Sequence, residues 1–401
     1  MTPTSQDRRM ISGLLGKYLQ ITVFLIIFLN YLDLPSYLYI VNPALLPKYF
    51  FFAMFAMISP FIFLRTKEFT RYLLTPFSVW AAAEIVIYIL DLPHASENVY
   101  KYILDYTQYF ILDICISFSF NLVRTDSFEY LFPIVASIIA ACVIFDFFNV
   151  GVFYPVDTEL TVHGRASAMF INPTRAGEGV MMACLLAIPV MRISYRLPLL
   201  LFAGLAILLT FSRGSILIWM AFFLFLLATR RIPKYSYLVI GVIIFILPVV
   251  AIIFKSFLSG HLTGPTDIEN VLERLSFFQK PSIQDDSGQE RLQVLKAGWE
   301  IFADNPLFGA GSGSSTFWEH RGGPHNQFIL VGSEHGVIGV GLWIWLMVIV
   351  ARGRYYRDNS YQLVASLMLF AFSFFNHNMF GPLYWMLTYA LTSGRRYFQD
   401  S

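Results

Sequence analysis

Residues 130–150 read YLFPIVASIIAACVIFDFFNV, with a single charged residue, Asp146. A helix needs about 20 apolar residues to cross a bilayer, and this run supplies them. Its apolar residues are continuous rather than alternating, which disfavours a transmembrane β-barrel. Eleven further runs of this character lie at approximately 13–32, 48–64, 72–91, 103–122, 174–191, 197–211, 214–229, 236–257, 326–350, 360–378 and 382–394. The whole chain agrees. Of its 401 residues 57% are hydrophobic and 13% charged, where a soluble domain carries about 25% charged residues. Disorder requires the opposite composition. The expected fold class is therefore an all-α polytopic membrane protein of about 12 transmembrane helices. Residues 1–257 carry helices one to nine. Residues 258–325 form a loop domain, and residues 326–401 carry helices ten to twelve and a tail.

The distribution of charge orients these spans. With the N-terminus inside, 17 of the 28 Lys and Arg fall on cytoplasmic connectors, from Arg8 and Arg9 through Arg65, Arg124, Arg192 and Arg230 to Arg395 and Arg396. The positive-inside rule then puts both termini in the cytoplasm. The apolar run after Met10 lacks a small-residue cleavage site and reads as a retained first span. Cys115, Cys142 and Cys184 lie in apolar stretches at spacings that fit neither a metal site nor a disulfide framework. The net charge of +2 decides little, and no nucleic-acid partner is expected.

Two outer segments are long, about 151–173 and about 258–325. Structureless loops of the second length are uncommon, and long loops carry function. Ser287-Gly-Gln-Glu290 reads as a capping box with Ser287 as N-cap. After it Leu292, Leu295, Trp299 and Phe302 recur at helical spacing, predicting a helix of about four turns. Asn305-Pro306 ends it. This helix lies on the membrane surface or packs over the bundle. Gly309-Ala-Gly-Ser-Gly313 reads either as a linker or as a substrate-contacting loop. It is not a P-loop, because no Gly-Lys-Ser/Thr follows.

Several arginines fall on the outer side. Arg213, in Thr210-Phe-Ser-Arg-Gly214, stands between two apolar runs, where it either snorkels to headgroups or binds an anion. Arg165 and Arg175 bracket the approach to the sixth span. Arg175 opposes the macrodipole at that helix's start, so it either pairs with Glu178 or binds an anion. Arg291 lies in the first turn of the loop helix, and Arg321 precedes Gly322-Gly323-Pro324. His325-Asn326 opens the tenth span at the positive end of a long helix. That end and nearby arginines favour the neutral imidazole, so the histidine is either structural or a general base. Arginine binds phosphate in bidentate fashion, so the ligand this set suits is a lipid-linked phosphate or diphosphate. No Asp-x-Asp exists to hold magnesium, so no metal is expected, and no cofactor is assigned. Intramembrane Glu84, Asp113 and Asp146 leave a proton-coupled transporter as a reading of another class.

His325-Asn326, nine residues, then Gly336-Val-Ile-Gly339 resembles the His-[Asn/Ser/Gln]-x9-Gly-x-x-Gly signature of bacterial O-antigen ligases. Arg291-Leu-Gln-Val-Leu295 resembles that family's Arg-x3-Leu element. Ser212-Arg213-Gly214 resembles the start of its core, and Gly164-Arg165 with Asn172-Pro173 an element upstream. Relatives often carry Asn after Asn-Pro, where this chain has Thr174-Arg175. The resemblance implies a GT-C-like glycosyltransferase of the Gram-negative inner membrane with a periplasmic active site, independent of metal and ATP. It implies undecaprenyl-diphosphate-linked glycan as donor, lipid A–core as acceptor, and membrane lipid around both. His325, Arg213 and Arg291 would be catalytic, with Arg165, Arg175, Arg321 and Asn326 binding substrate. O-antigen polymerases and protein O-oligosaccharyltransferases share the superfamily and remain alternatives.

Overall fold

The computed structural model describes residues 14–123, 128–154, 165–238, 286–320, 322–353, 355, 358–376 and 378–394. Among them the regular structure is all helix, without a strand. The helices are α1 (Leu14–Tyr31), α2 (Leu34–Val41), α3 (Pro47–Leu64), α4 (Thr66–Tyr72), α5 (Pro76–Asp91), α6 (Glu97–Leu122) and α7 (Phe128–Phe148). They continue as α8 (Pro173–Val190), α9 (Ile193–Leu209), α10 (Arg213–Ala228), α11 (Asp286–Asp304), α12 (Gln327–Ala351), α13 (Asn359–Phe372) and α14 (Leu383–Ser393). Eleven of the twelve apolar runs coincide with helices. The run at 236–257 lies almost wholly outside the described residues. Of these helices, α1, α3, α7 and α12 are each long and apolar enough to cross a membrane. The pair α4–α5, bent by 75°, makes a fifth if counted as one broken span. Among the rest, α6 contains Glu97, Lys101, Asp105 and Asp113, while α9, α10, α13 and α14 are under 18 residues. Many large apolar side chains face outward, among them Phe52, Phe63, Leu205, Leu224 and Leu367. In a membrane chain that is the face lipid solvates.

The chain packs as two compact units. One comprises residues up to 131 and from 290 onward, and the other residues 132–289. In the first, the core is aromatic. Trp80 meets Phe110 and Phe380 at ring separations of 5.6 and 5.7 Å, and Trp343 meets Phe380 at 5.4 Å. The Trp80 indole donates to Leu342 O at 3.0 Å, so α5 grips α12 by a polar contact as well. Such rings contribute beyond the area they bury.

The helix α12 is broken at Gly336, whose φ of +62° and ψ of −152° suit only glycine. A break frees backbone groups that lipid cannot satisfy. Here the chain after α11 satisfies them. Ala310 N–H donates to Ser333 O at 2.8 Å, Gly311 N–H to Glu334 O at 3.0 Å, and Val337 N–H to Pro306 O at 2.8 Å. The Gly309–Gly313 segment is thus strapped to the tenth apolar run.

The second unit is organised around α8, where every residue from Ala176 to Ile188 is buried. A helix buried on every side belongs at the centre of a bundle, and α9 and α10 flank it. Small residues set the spacing. A Cβ on Gly177 would lie 2.8 Å from Ser215 Oγ, so the first turns of α8 and α10 nearly touch.

Candidate functional site

In the second unit three of the predicted cations gather at one end. Asn172 caps α8, its side-chain oxygen accepting Arg175 N–H at 2.9 Å, with Pro173 in the first turn. Arg175 is therefore fixed in that first turn. Arg213 is the first residue of α10, after Ser212, whose hydroxyl meets that of Ser215 at 3.0 Å. Arg165 Nε donates to Thr210 O at 2.8 Å, at the C-terminal end of α9. The Gly177–Ser215 contact, with Thr210 Oγ1 3.2 Å from the same Cβ position, brings all three termini together. The starts of two helices and three partly buried arginines, Arg165, Arg175 and Arg213, thus lie at these helix ends.

Asp146 explains how Arg165 is held there. Its carboxylate accepts Ser167 N–H and Ala168 N–H, each at 2.8 Å. Ala168 takes a φ of +48°, and Ala166 N–H donates to Leu209 O at 3.1 Å. The 165–170 segment is thus folded back against α7 and α9. Asp146 thus acts in packing through hydrogen bonds, and the segment that carries Arg165 is the piece it secures.

In the first unit the pieces are His325, Asn326 and Arg291. His325 directly precedes the cap of α12 and has a φ of +49°, a left-handed conformation uncommon outside glycine. Strained residues of this kind cluster at functional sites. Asn326 is the cap: its side-chain oxygen accepts Phe328 N–H at 2.9 Å and Ile329 N–H at 3.2 Å. The substrate contact expected of it must share that side chain with a structural duty. Gln327, which the sequence reading passed over, is fully buried. Its N–H donates to Ser373 O at 2.7 Å, and its side-chain oxygen accepts Met379 N–H at 3.0 Å. A polar residue at the head of an apolar run was the signal available.

The helix α11 starts at Asp286, so Ser287 stands inside it rather than capping it, and Arg291 falls in the second turn, not the first. The buried face is also rotated from the expected one. Leu292 and Trp299 are more than half exposed, while Val294 and Gly298 are buried. The reason is a close approach: a Cβ on Gly298 would lie 2.7 Å from Ile329 Cγ2 and 3.4 Å from Pro324 Cβ. The bare face at Gly298 packs on the head of α12, which sets Arg291 near His325. Burial, and next the Arg291 charge, pull the His325 imidazole down to about 4. The neutral form is as expected, although burial leads. Arg321 lies outside the described residues.

Residues 198–344 match the family model described as O-antigen ligase. The matched segment spans α9, α10, α11 and most of α12, and so includes Arg213, Arg291 and His325. Arg165 and Arg175 precede it. The resemblance read from the motifs is borne out over that segment. No curated protein matches the chain.

Proposed function

We propose that the protein is an integral-membrane glycosyltransferase of the O-antigen ligase type. It transfers a glycan from undecaprenyl diphosphate to a sugar hydroxyl of lipid A–core, on the periplasmic face of a Gram-negative inner membrane. The observation that carries this reading is a neutral, strained histidine at the head of α12 with an arginine helix packed beside it. The family match over the same elements supports it. About 12 spans, a GT-C-like arrangement, cytoplasmic termini and the division at 257/258 and 325/326 belong to the same proposal.

His325 takes the proton from the acceptor hydroxyl. The acceptor oxygen bonds to the anomeric carbon with inversion, the bond from that carbon to the diphosphate breaks, and the electron pair leaves with undecaprenyl diphosphate. Arg213 and Arg291 neutralise the charge that develops there. Arg165, Arg175 and Arg321 hold the donor, and Asn326 contributes where its capping role permits. General base catalysis supplies typically about 10²–10⁴-fold.

The test uses purified protein in detergent with chelator and without ATP, given undecaprenyl-diphosphate glycan with or without lipid A–core. Product only with lipid A–core, lost in His325→Ala, is the expected result. Longer lipid-linked glycans without that acceptor would identify a polymerase instead. Absence of any covalent product would overturn the reading and turn attention to transport through Glu84 and Asp113.

A further inference from the structure

Two ionisable residues sit inside the apolar run of α12, Glu334 and His335, and both are buried. Intramembrane ionisable groups are costly and mark function. The ring nitrogens of His335 face different carboxylates: Nδ1 lies 3.7 Å from Asp91 Oδ2, and Nε2 lies 3.9 Å from Glu334 Oε2. His335 is only 4% exposed, and its Nε2 has no hydrogen-bond partner. Asp91 ends α5 with a side chain 27% exposed, whereas that of Glu334 is 2% exposed. The three groups therefore run from a partly open carboxylate, through an imidazole, to a closed one.

Every element around the cluster contributes to it. From α5 come Asp91 and Tyr88, whose ring stands edge-on to His335 at 5.0 Å, with buried Glu84 one turn earlier. From α6, Tyr102 O–H donates to Glu334 at 3.3 Å, and the Tyr106 ring lies tilted against that of Tyr102 at 4.4 Å. From the strap, Thr316 O–H donates to Glu334 at 3.2 Å, and Ser312 donates both N–H and O–H to Asp91 at 2.7 and 2.6 Å. Among the described residues neither carboxylate pairs with Lys or Arg. Two carboxylates so placed, without a fixed cation, are stabilised by a proton between them.

We propose that Asp91, His335 and Glu334 form a proton-sharing site, and that its proton sets how firmly the 312–316 segment is held. A proton on Glu334 passes to His335 Nε2 while the Nδ1 proton passes to Asp91. One O–H and one N–H bond break, one of each forms, and the imidazole ends as its other neutral tautomer. Each gap must close by roughly 1 Å to reach hydrogen-bond length, a tightening usual for resting sites. Because both carboxylates also hold the strap, moving the proton weakens one anchor and strengthens the other. This inference does not depend on the glycosyl-transfer reading.

The experiment uses the full chain in lipid nanodiscs with ¹⁵N-labelled histidine, titrated between about pH 4 and 9, with His335 identified by its loss in His335→Gln. The expected result is a change in the His335 nitrogen shifts whose midpoint moves by about one pH unit or more in Asp91→Asn and in Glu334→Gln. Hydrogen exchange of residues 309–317, corrected for intrinsic rates, should change about tenfold across the wild-type midpoint and not in His335→Gln. A His335 signal that stays one neutral tautomer throughout in the wild type overturns the site, and that arm needs no variant to fold. A midpoint indifferent to both carboxylates overturns it as well. A titration without any change in exchange overturns the link to the strap.

Discussion

Gly298 lies against Ile329 so closely that a Cβ there would sit 2.7 Å from Ile329 Cγ2. This contact puts the Arg291 helix beside His325. Gly298→Val would push α11 away at a cost of about 1–3 kcal/mol from overpacking. Activity should fall at least tenfold while the rest of the fold survives, as checked by thermal melting beside the transfer assay. Wild-type turnover in that variant would separate Arg291 from the site.

The imidazole of His325 is held to about 4, below its ordinary 6.5, by burial and then by Arg291. Its folded value is depressed, so the neutral form stabilises the fold fully above about pH 6.5. That contribution is lost as pH falls toward 4, where the unfolded chain binds the proton first. Free-enzyme kcat/KM should hold down to about pH 5 and drop below it. Arg291→Ala removes a positive charge and should move that acid limb upward, because a cation disfavours imidazolium. Binding of the donor diphosphate should move the kcat limb the same way. A pH–rate profile on wild type and Arg291→Ala measures all of this, and an acid limb left in place by the substitution would sever the pair.

The sequence made the helices legible because apolar length is a strong signal. It did not make their faces legible. In α11 the apolar stripe of Leu292 and Trp299 turned outward while Val294 and Gly298 turned in. Next to a membrane an apolar side chain is stable on either face, and small residues decide which one packs. The arginines were visible as charges in apolar surroundings. Their gathering at the ends of α8, α9 and α10 depends on the Gly177–Ser215 approach, which no periodicity announces. Glu334 and His335 did carry a signal, as two ionisable residues in one apolar run, but it was masked by the signature in which they lie.

Asn326 can be tested as a cap apart from any contact with substrate. Asn326→Ala leaves the Phe328 and Ile329 N–H groups without their side-chain acceptor and should cost about 1 kcal/mol. Asn326→Ser restores an acceptor of the right reach and should recover most of the stability and most of the activity. Thermal melts and initial rates on the two variants check this. Stability regained without activity would mean that the asparagine also touches substrate.

Asp146 holds the 165–170 segment through two backbone N–H groups, at 2.8 Å each, and Arg165 hangs from that segment. Asp146→Ala would strand both donors inside the bundle, where an unsatisfied group costs about 1–3 kcal/mol. Asp146→Asn keeps an acceptor oxygen and should fold normally. If the carboxylate acts only by positioning Arg165, the Asn variant should keep KM for the lipid-linked donor and kcat within about twofold of wild type, whereas Asp146→Ala should raise that KM several-fold. Arg165→Ala should then raise KM by a similar factor, and the double variant should be no worse than either single one, as non-additivity requires of residues acting through one contact. Additive losses would instead give Asp146 a task of its own, and flux measurements in liposomes would then test the proton-coupled alternative.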